Sequence, residues 1–149
     1  LKERINCTGT GIDCSEKAIK IANFNANLHQ IQNRIKILKT DVDNFKSGKY
    51  DLVISNPPYI DKHQLKYLDV SKYEPLQALD GGINGIEVLM KVILNASQLL
   101  KINGKLIIEI GKNQKYKVIK FLNKNNFFVN KIVKDLSNID RCIISTKLP

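Results

Sequence analysis

The sequence predicts a doubly wound α/β sheet whose last two strands form an antiparallel hairpin, and three observations predict it. Strand-like apolar stretches alternate with stretches of helical apolar periodicity along most of the 149 residues. Leu52, Val53 and Ile54 form an unbroken apolar run that reads as a buried parallel strand. Two strand-like stretches with no helix between them, FFVNKIVKD and DRCIISTKL, close the chain.

Each element has its own signal. The opening LKER reads as the tail of a helix, and with no initial Met the chain is expected to be a fragment. INCTGTGID is a short strand, so Gly9 and Gly11 belong to a strand or its edge. They are not a glycine-rich phosphate loop, because Ile12, Asp13 and Cys14 intervene before the next helix. That helix, SEKAIKIANFNANLH, is capped by Ser15 with Glu16 in its first turn, and Ala18, Ile19, Ile21, Ala22 and Ala26 share a face. IKILK and YDLVIS are the next strands. After a long polar connection, INGIEVLMKVILNASQLL carries Ile86, Leu89, Met90, Ile93 and Leu100 at helical spacing. Gly104 follows that helix, Met90 is core filler, KLIIEI is a strand and NQKYKVIKFLNKN a helix.

Composition excludes several classes. A chain this long and 43% hydrophobic can bury about 70% of its unfolded surface in one core, so one domain over 1–149 is the expectation. No apolar run reaches the roughly 18 residues of a membrane span and the first residues lack a signal-peptide core, which predicts a soluble cytoplasmic protein. Cys7, Cys14 and Cys142 form no C-x-x-C pair and stand apart in sequence from His29 and His63, so reduced, buried thiols and no metal are expected. The 24 Lys and Arg against 14 Asp and Glu give +10, but the lysines are dispersed, so charge alone does not mark a nucleic-acid surface.

The segment DLVISNPPYID carries the chemistry. In a doubly wound sheet, ligands gather at the carboxyl ends of strands, where Asn56, Pro57, Pro58 and Tyr59 stand. Two prolines make a stiff turn rich in carbonyl acceptors and poor in N–H donors, which suits a ligand bearing an NH2 group. Asn56 adds a side-chain carbonyl, and Tyr59 offers a flat face to a planar group. The plain alternative is a rigid strand-to-loop turn.

SNPPYI resembles the signature of class I methyltransferases that use S-adenosylmethionine to methylate planar nitrogens. YEPLQALDGGINGIEVL (73–89), EIGKNQ (109–114) and the D-x-x-x-x-D-R pattern from Asp135 to Arg141 are similar to further elements of the HemK family, the peptide chain release factor glutamine N5-methyltransferases. The resemblance covers nearly the whole chain, with Asn84 where the family often has Asp and Asn138 where Gly is common. It implies a Rossmann-like sheet of order 3-2-1-4-5-7-6, and the family's first strand and G-x-G-x-G loop have no counterpart here. Loss of that central strand is expected to separate the second and third family strands from the rest and to leave the isolated chain unstable or inactive. A fragment of this kind is also expected to lack the family's helical N-terminal substrate domain.

The resemblance also implies roles. Asn56 and Pro57, with Pro58 and Tyr59 completing the turn, would hold the substrate glutamine, Asn56 also touching the cofactor. Asp13, at the end of the second family strand, would bind the cofactor ribose, or else caps a helix. Asp41 and Val42 would lie by the adenine. Asp80, Glu74 and Glu109 are read as loop-ordering charges, and Tyr67, Tyr73 and His63 as packing or solvent-facing. The implied partner is a class 1 release factor met by a monomer, with no membrane and no nucleic-acid substrate. The alternatives are a ribosomal-protein glutamine methyltransferase, a nucleic-acid N-methyltransferase acting on adenine-N6 or guanine-N2, and a non-catalytic remnant that only binds a partner.

Overall fold

The computed structural model describes residues 1–69 and 73–149. They fall into two compact units, Leu1–Phe45 and Lys46–Pro149.

In the first unit, β1 (Gly9–Asp13) and β2 (Ile35–Lys39) pair in parallel, Gly9 opposite Ile35 and Asp13 opposite Lys39. They are joined through α1 (Glu16–Leu28). Ser15 caps α1 as its sequence position predicts, its hydroxyl accepting from the Ala18 amide at 3.3 Å. Ala26 is buried and Ala18, Ile19 and Ala22 are half-buried, but Ile21 is 62% exposed. At 100° per residue Ile21 lies on the far side of Ala18 from Ala26, so it leaves the shared face predicted for it. The opening LKER is not helical. Leu1–Cys7 runs in turns whose Leu1, Arg4, Ile5 and Cys7 carbonyls lie within 3.0–3.2 Å of Arg34 Nη1. The strand predicted over INCTGTGID is accordingly confined to Gly9–Asp13.

The second unit holds a four-stranded sheet of order β3-β4-β6-β5, built from β3 (Tyr50–Ser55), β4 (Leu100–Glu109), β5 (Phe127–Lys134) and β6 (Asp140–Lys147). β3 and β4 are parallel, and β6 is antiparallel to both β4 and β5. The predicted terminal hairpin is therefore present. The strand orders of the two sheets match the parts of the expected order 3-2-1-4-5-7-6 on either side of its third position. α4 (Glu87–Leu99) buries Leu89, Val92, Ile93, Ala96 and Leu99, and α5 (Lys115–Lys124) buries Val118 and Leu122. With Leu106, Ile108, Ile110, Phe127 and Ile143 these side chains form the core. Met90 packs half-buried in the apolar seam between α4 and α5, as a filler should.

Several expectations are corrected. β3 is not buried on both faces. It stands at the edge of its sheet with Leu52 46% and Ile54 68% exposed, while Val53 and Ser55 on the other face are half-buried. The helix predicted from Ile83 begins at Glu87, because Asn84 (φ 56°) and Gly85 (φ 66°) are left-handed and confine Ile83–Gly85 to a 3₁₀ turn. Gly104 is not a helix cap. Leu100 is already extended, and Gly104 follows left-handed Asn103 where β4 shifts register against β3. The polar connection after β3 contains two one-turn helices, α2 (Lys62–Leu65) and α3 (Leu76–Leu79). The thiols are not buried either. Cys7 and Cys14 are exposed in the chain flanking β1, and Cys142 is half-buried on β6. Among the described residues no helix is long and apolar enough to cross a membrane.

Candidate active site

β3 delivers its last residue, Ser55, into register opposite Ile108 of β4, and the chain then leaves the sheet as Asn56-Pro57-Pro58-Tyr59. Pro57 is buried, Pro58 and Tyr59 are half-buried, and Asn56 is exposed. Within their unit the Asn56 carboxamide and the Pro57 and Pro58 carbonyls meet no hydrogen-bond donor among the described residues. Proline supplies the reason locally. Neither ring nitrogen can donate, so the turn cannot fold back onto its own oxygens.

Directly beyond these free acceptors the Tyr59 hydroxyl and carbonyl and the Ile60 backbone are bound. The Tyr59 hydroxyl donates to Glu109 Oε1 at 2.9 Å, and its backbone carbonyl accepts from Gln114 Nε2 at 2.9 Å. Ile60 bridges to Asp80 as in a parallel pair, donating to the Leu79 carbonyl at 3.1 Å and accepting from Gly81 at 2.9 Å. The segment Asp80–Gly85 thus lies along the turn, and glycine is what lets it approach. A Cβ on Gly81 would stand 2.7 Å from Tyr59 Cα, and one on Gly85 only 2.2 Å from the Tyr59 carbonyl oxygen. Asp80 orders this loop by accepting from the Gly82 amide at 2.9 Å, the role read for it in the sequence.

The same region draws in the ends of β4 and β6. Burial first, then the hydrogen bond to Glu109 and its negative charge, push the Tyr59 phenol above its ordinary pKa, with Arg141 pulling the other way. Arg141 grips Asp135 Oδ2 through Nε at 3.1 Å and Nη2 at 3.0 Å, and donates from Nη1 to the Ile110 carbonyl at 3.3 Å. The Ile139 amide, then Arg141 and the Ser137 amide, hold the Asp135 carboxyl below its ordinary range. A cavity of about 540 Å³ adjoins the turn, lined by Tyr59, Ile60, Gln64, Asn84, Lys117 and Arg141 among others.

Asp13, Asp41 and Val42 belong to the other unit. Asp13 ends β1, exposed, with Oδ1 accepting from the Ser15 amide at 2.7 Å. It supports the entry into α1, but the capping hydroxyl is that of Ser15. Asp41 follows β2 and spends both carboxylate oxygens on Asn44, Oδ1 on its amide at 2.9 Å and Oδ2 on its side chain at 2.8 Å. Val42 beside it is half-buried. Tyr67, Tyr73 and His63 face solvent. Sequence reasoning gave Gln114 and Arg141 no role. The signal was present in EIGKNQ and in the Asp135-to-Arg141 spacing, but only the fold shows that both reach the strand ends around Tyr59.

Comparison with known proteins supplies the family. Residues 1–146 match the family model described as a methyltransferase domain. The chain is 42% identical over 142 residues to the release factor glutamine methyltransferase of Fusobacterium nucleatum, covering 93% of this chain and 40% of that protein. It is 39% identical over 107 residues to the ribosomal protein uL3 glutamine methyltransferase of Francisella tularensis, covering 70% of this chain and 34% of the relative. The chain thus spans well under two thirds of the length of these relatives. A methyltransferase from Pyrococcus furiosus superposes with a TM-score of 0.73 at 19% identity, over 99% of this chain and 66% of that one. On the match over nearly its whole length, the chain belongs to the methyltransferase-domain family.

Proposed function

We propose that the protein to which this chain belongs transfers a methyl group from S-adenosylmethionine to the side-chain amide nitrogen of a glutamine in the G-G-Q loop of class 1 peptide chain release factors. One observation carries the reading. Among the described residues of this unit the acceptors of Asn56 and Pro57 are unspent at the end of β3, while the Tyr59 hydroxyl and carbonyl and the Ile60 backbone that follow are bound.

An amide nitrogen is a poor nucleophile because its lone pair is delocalised into the carbonyl. The Asn56 side-chain oxygen and the Pro57 carbonyl would each accept one N–H, holding the nitrogen still and favouring a lone pair directed away from both. Their fixed dipoles also suit the positive charge that grows on nitrogen during transfer. Once the methyl has moved from sulfur to nitrogen, the cationic amide is strongly acidic and loses one proton to water, so no ionisable base is needed in the turn, with Pro58 and Tyr59 acting as its rigid frame. The cofactor supplies an electrophilic sulfonium methyl. Its ribose fits Asp13, an exposed carboxylate at a strand end with an oxygen not engaged by the Ser15 amide. Asp41 and Val42, after the adjacent strand, suit the adenine, and Asn56 would touch the cofactor as well as the substrate.

The release factor is named over the ribosomal protein because EIGKNQ and the terminal Asp135-to-Arg141 pattern resemble the former family. The likeness to ribosomal protein uL3 glutamine methyltransferases keeps that substrate as the second reading. In both the protein acts as a soluble cytoplasmic monomer. Mass spectrometry of the release factor's G-G-Q peptide, from cells with and without the gene, tests the choice. Loss of glutamine methylation there is expected on deletion. Unchanged release factor with loss on the ribosomal protein would select the second reading.

A further inference from the structure

We propose that Gln114 is a positioning residue, whose carboxamide locks the far end of the Asn56–Tyr59 turn so that the two open acceptors hold one direction. The proposal rests on the glutamine-binding reading of that turn. Gln114 is 9% exposed and uses its whole head group. Oε1 accepts from the Gly111 amide at 2.8 Å, and Nε2 donates to the Tyr59 carbonyl at 2.9 Å and to the Gly85 carbonyl at 3.0 Å. Two carbonyls on one side and an N–H on the other leave a single orientation for the amide.

One side chain therefore joins three segments: the turn after β3, the 3₁₀ turn before α4 and the loop between β4 and α5. Space enforces it. A Cβ on Gly85 would lie 2.9 Å from Nε2, and one on Gly111 2.9 Å from Oε1, so glycine is present where the carboxamide meets backbone.

The position gives the clamp its leverage. Upstream, Ser55 is fixed by its register opposite Ile108. Downstream, the first backbone carbonyl held after β3 is that of Tyr59, and Gln114 holds it. Between them stand Asn56, whose carboxamide is free within this unit, and two prolines of fixed φ. With both ends pinned and the middle stiff, the Pro57 oxygen has little freedom. Releasing one end lets the acceptors swing, and displacement of about 1 Å can cost on the order of 10²-fold in rate.

Two variants in the protein from the complete reading frame separate positioning from bulk packing. Gln114→Glu keeps the shape but, when ionised, donates nothing to the two carbonyls. We expect its kcat at pH 8 to be at least about tenfold below wild type, with KM for S-adenosylmethionine within about threefold, since the cofactor contacts proposed at Asp13, Asp41 and Val42 do not involve the clamp. Burial against carbonyl oxygens raises the pKa of the new carboxyl, and once protonated it donates one hydrogen, so kcat should recover as pH falls. Gln114→Met, which fills the space without hydrogen bonds, should lose rate without recovery at low pH. A kcat for Gln114→Glu within twofold of wild type at pH 8, or identical pH profiles for the two variants, overturns the proposal. Should either variant fail to fold, proton exchange of the wild-type Gln114 side-chain amide decides. Slow exchange supports the clamp and exchange at the free-amide rate overturns it. If wild type leaves the release factor unmodified, the substrate reading falls, while the exchange measurement still judges Gln114.

Discussion

Asn56 and Tyr59, three residues apart, have opposite fates: among the described residues of their unit the carboxamide of the first meets no partner, and the second has its hydroxyl and carbonyl bound. Replacing Asn56 by Ala removes one acceptor without disturbing a hydrogen bond of its unit. We expect kcat to fall about 10²-fold or more with cofactor Kd changed little, measured by single-turnover transfer and calorimetric titration. Tyr59→Phe instead leaves Glu109 without its donor and should cost about 1 kcal/mol in denaturant unfolding. That variant also has a pH signature. Because the phenol pKa is raised by folding, its contribution is full below the ordinary value of about 10 and fades as pH rises through the higher folded value. The alkaline loss of stability should therefore be smaller in Tyr59→Phe. At this scale the acceptor turn was legible from four letters. Glu109 was read only as an ordering charge, because nothing in linear spacing says that the end of β4 lies beside the end of β3.

Between elements, left-handed residues decide where helices and strands stop. Of the six non-glycine residues with positive φ among the described residues, five are asparagines: Asn84, Asn103, Asn113, Asn126 and Asn138. Asparagine tolerates this region better than other side chains, which explains Asn138 where the related family commonly has glycine. It also explains why boundaries were misread. Asparagine is abundant throughout the chain, so its stops at Asn84 and Asn103 are not distinguishable by composition from Asn95, which sits inside α4. The cores of α1, α4 and α5 and the final hairpin were legible because their periodicities are long. Gly85→Ala should destabilise by about 1–2 kcal/mol from its φ of 66° alone. It should also slow methyl transfer, because the added methyl enters the space of the Tyr59 carbonyl, and paired melting and rate measurements check both effects. In the turn joining β5 to β6, folding lowers the Asp135 pKa. Its contribution is therefore complete above the ordinary carboxylate value of about 3.9 and is lost as pH falls through the lower folded value. Asp135→Asn should flatten the acid limb of a stability-versus-pH curve measured between those limits.

Over the whole molecule, the family resemblance and its missing central strand gave the strand order and the separation of the first two strands from the rest, whereas periodicity gave only the succession of strands and helices, since apolar pattern carries no record of which strands share a ladder. The exposure of Leu52 and Ile54 was hidden for the same reason: an apolar run reads alike at a sheet centre and at an edge. The charge of +10 is spread along the chain, so binding to RNA or DNA should be weak, fall steeply with added salt and leave release factor methylation undiminished, which filter binding and a competition assay can measure. The most direct test of the central claim is a crystal structure of the full protein with demethylated cofactor and a G-G-Q peptide. It should place the glutamine amide nitrogen about 2.7–3.2 Å from both the Asn56 side-chain oxygen and the Pro57 carbonyl oxygen. A bound glutamine whose amide meets neither oxygen would contradict the account.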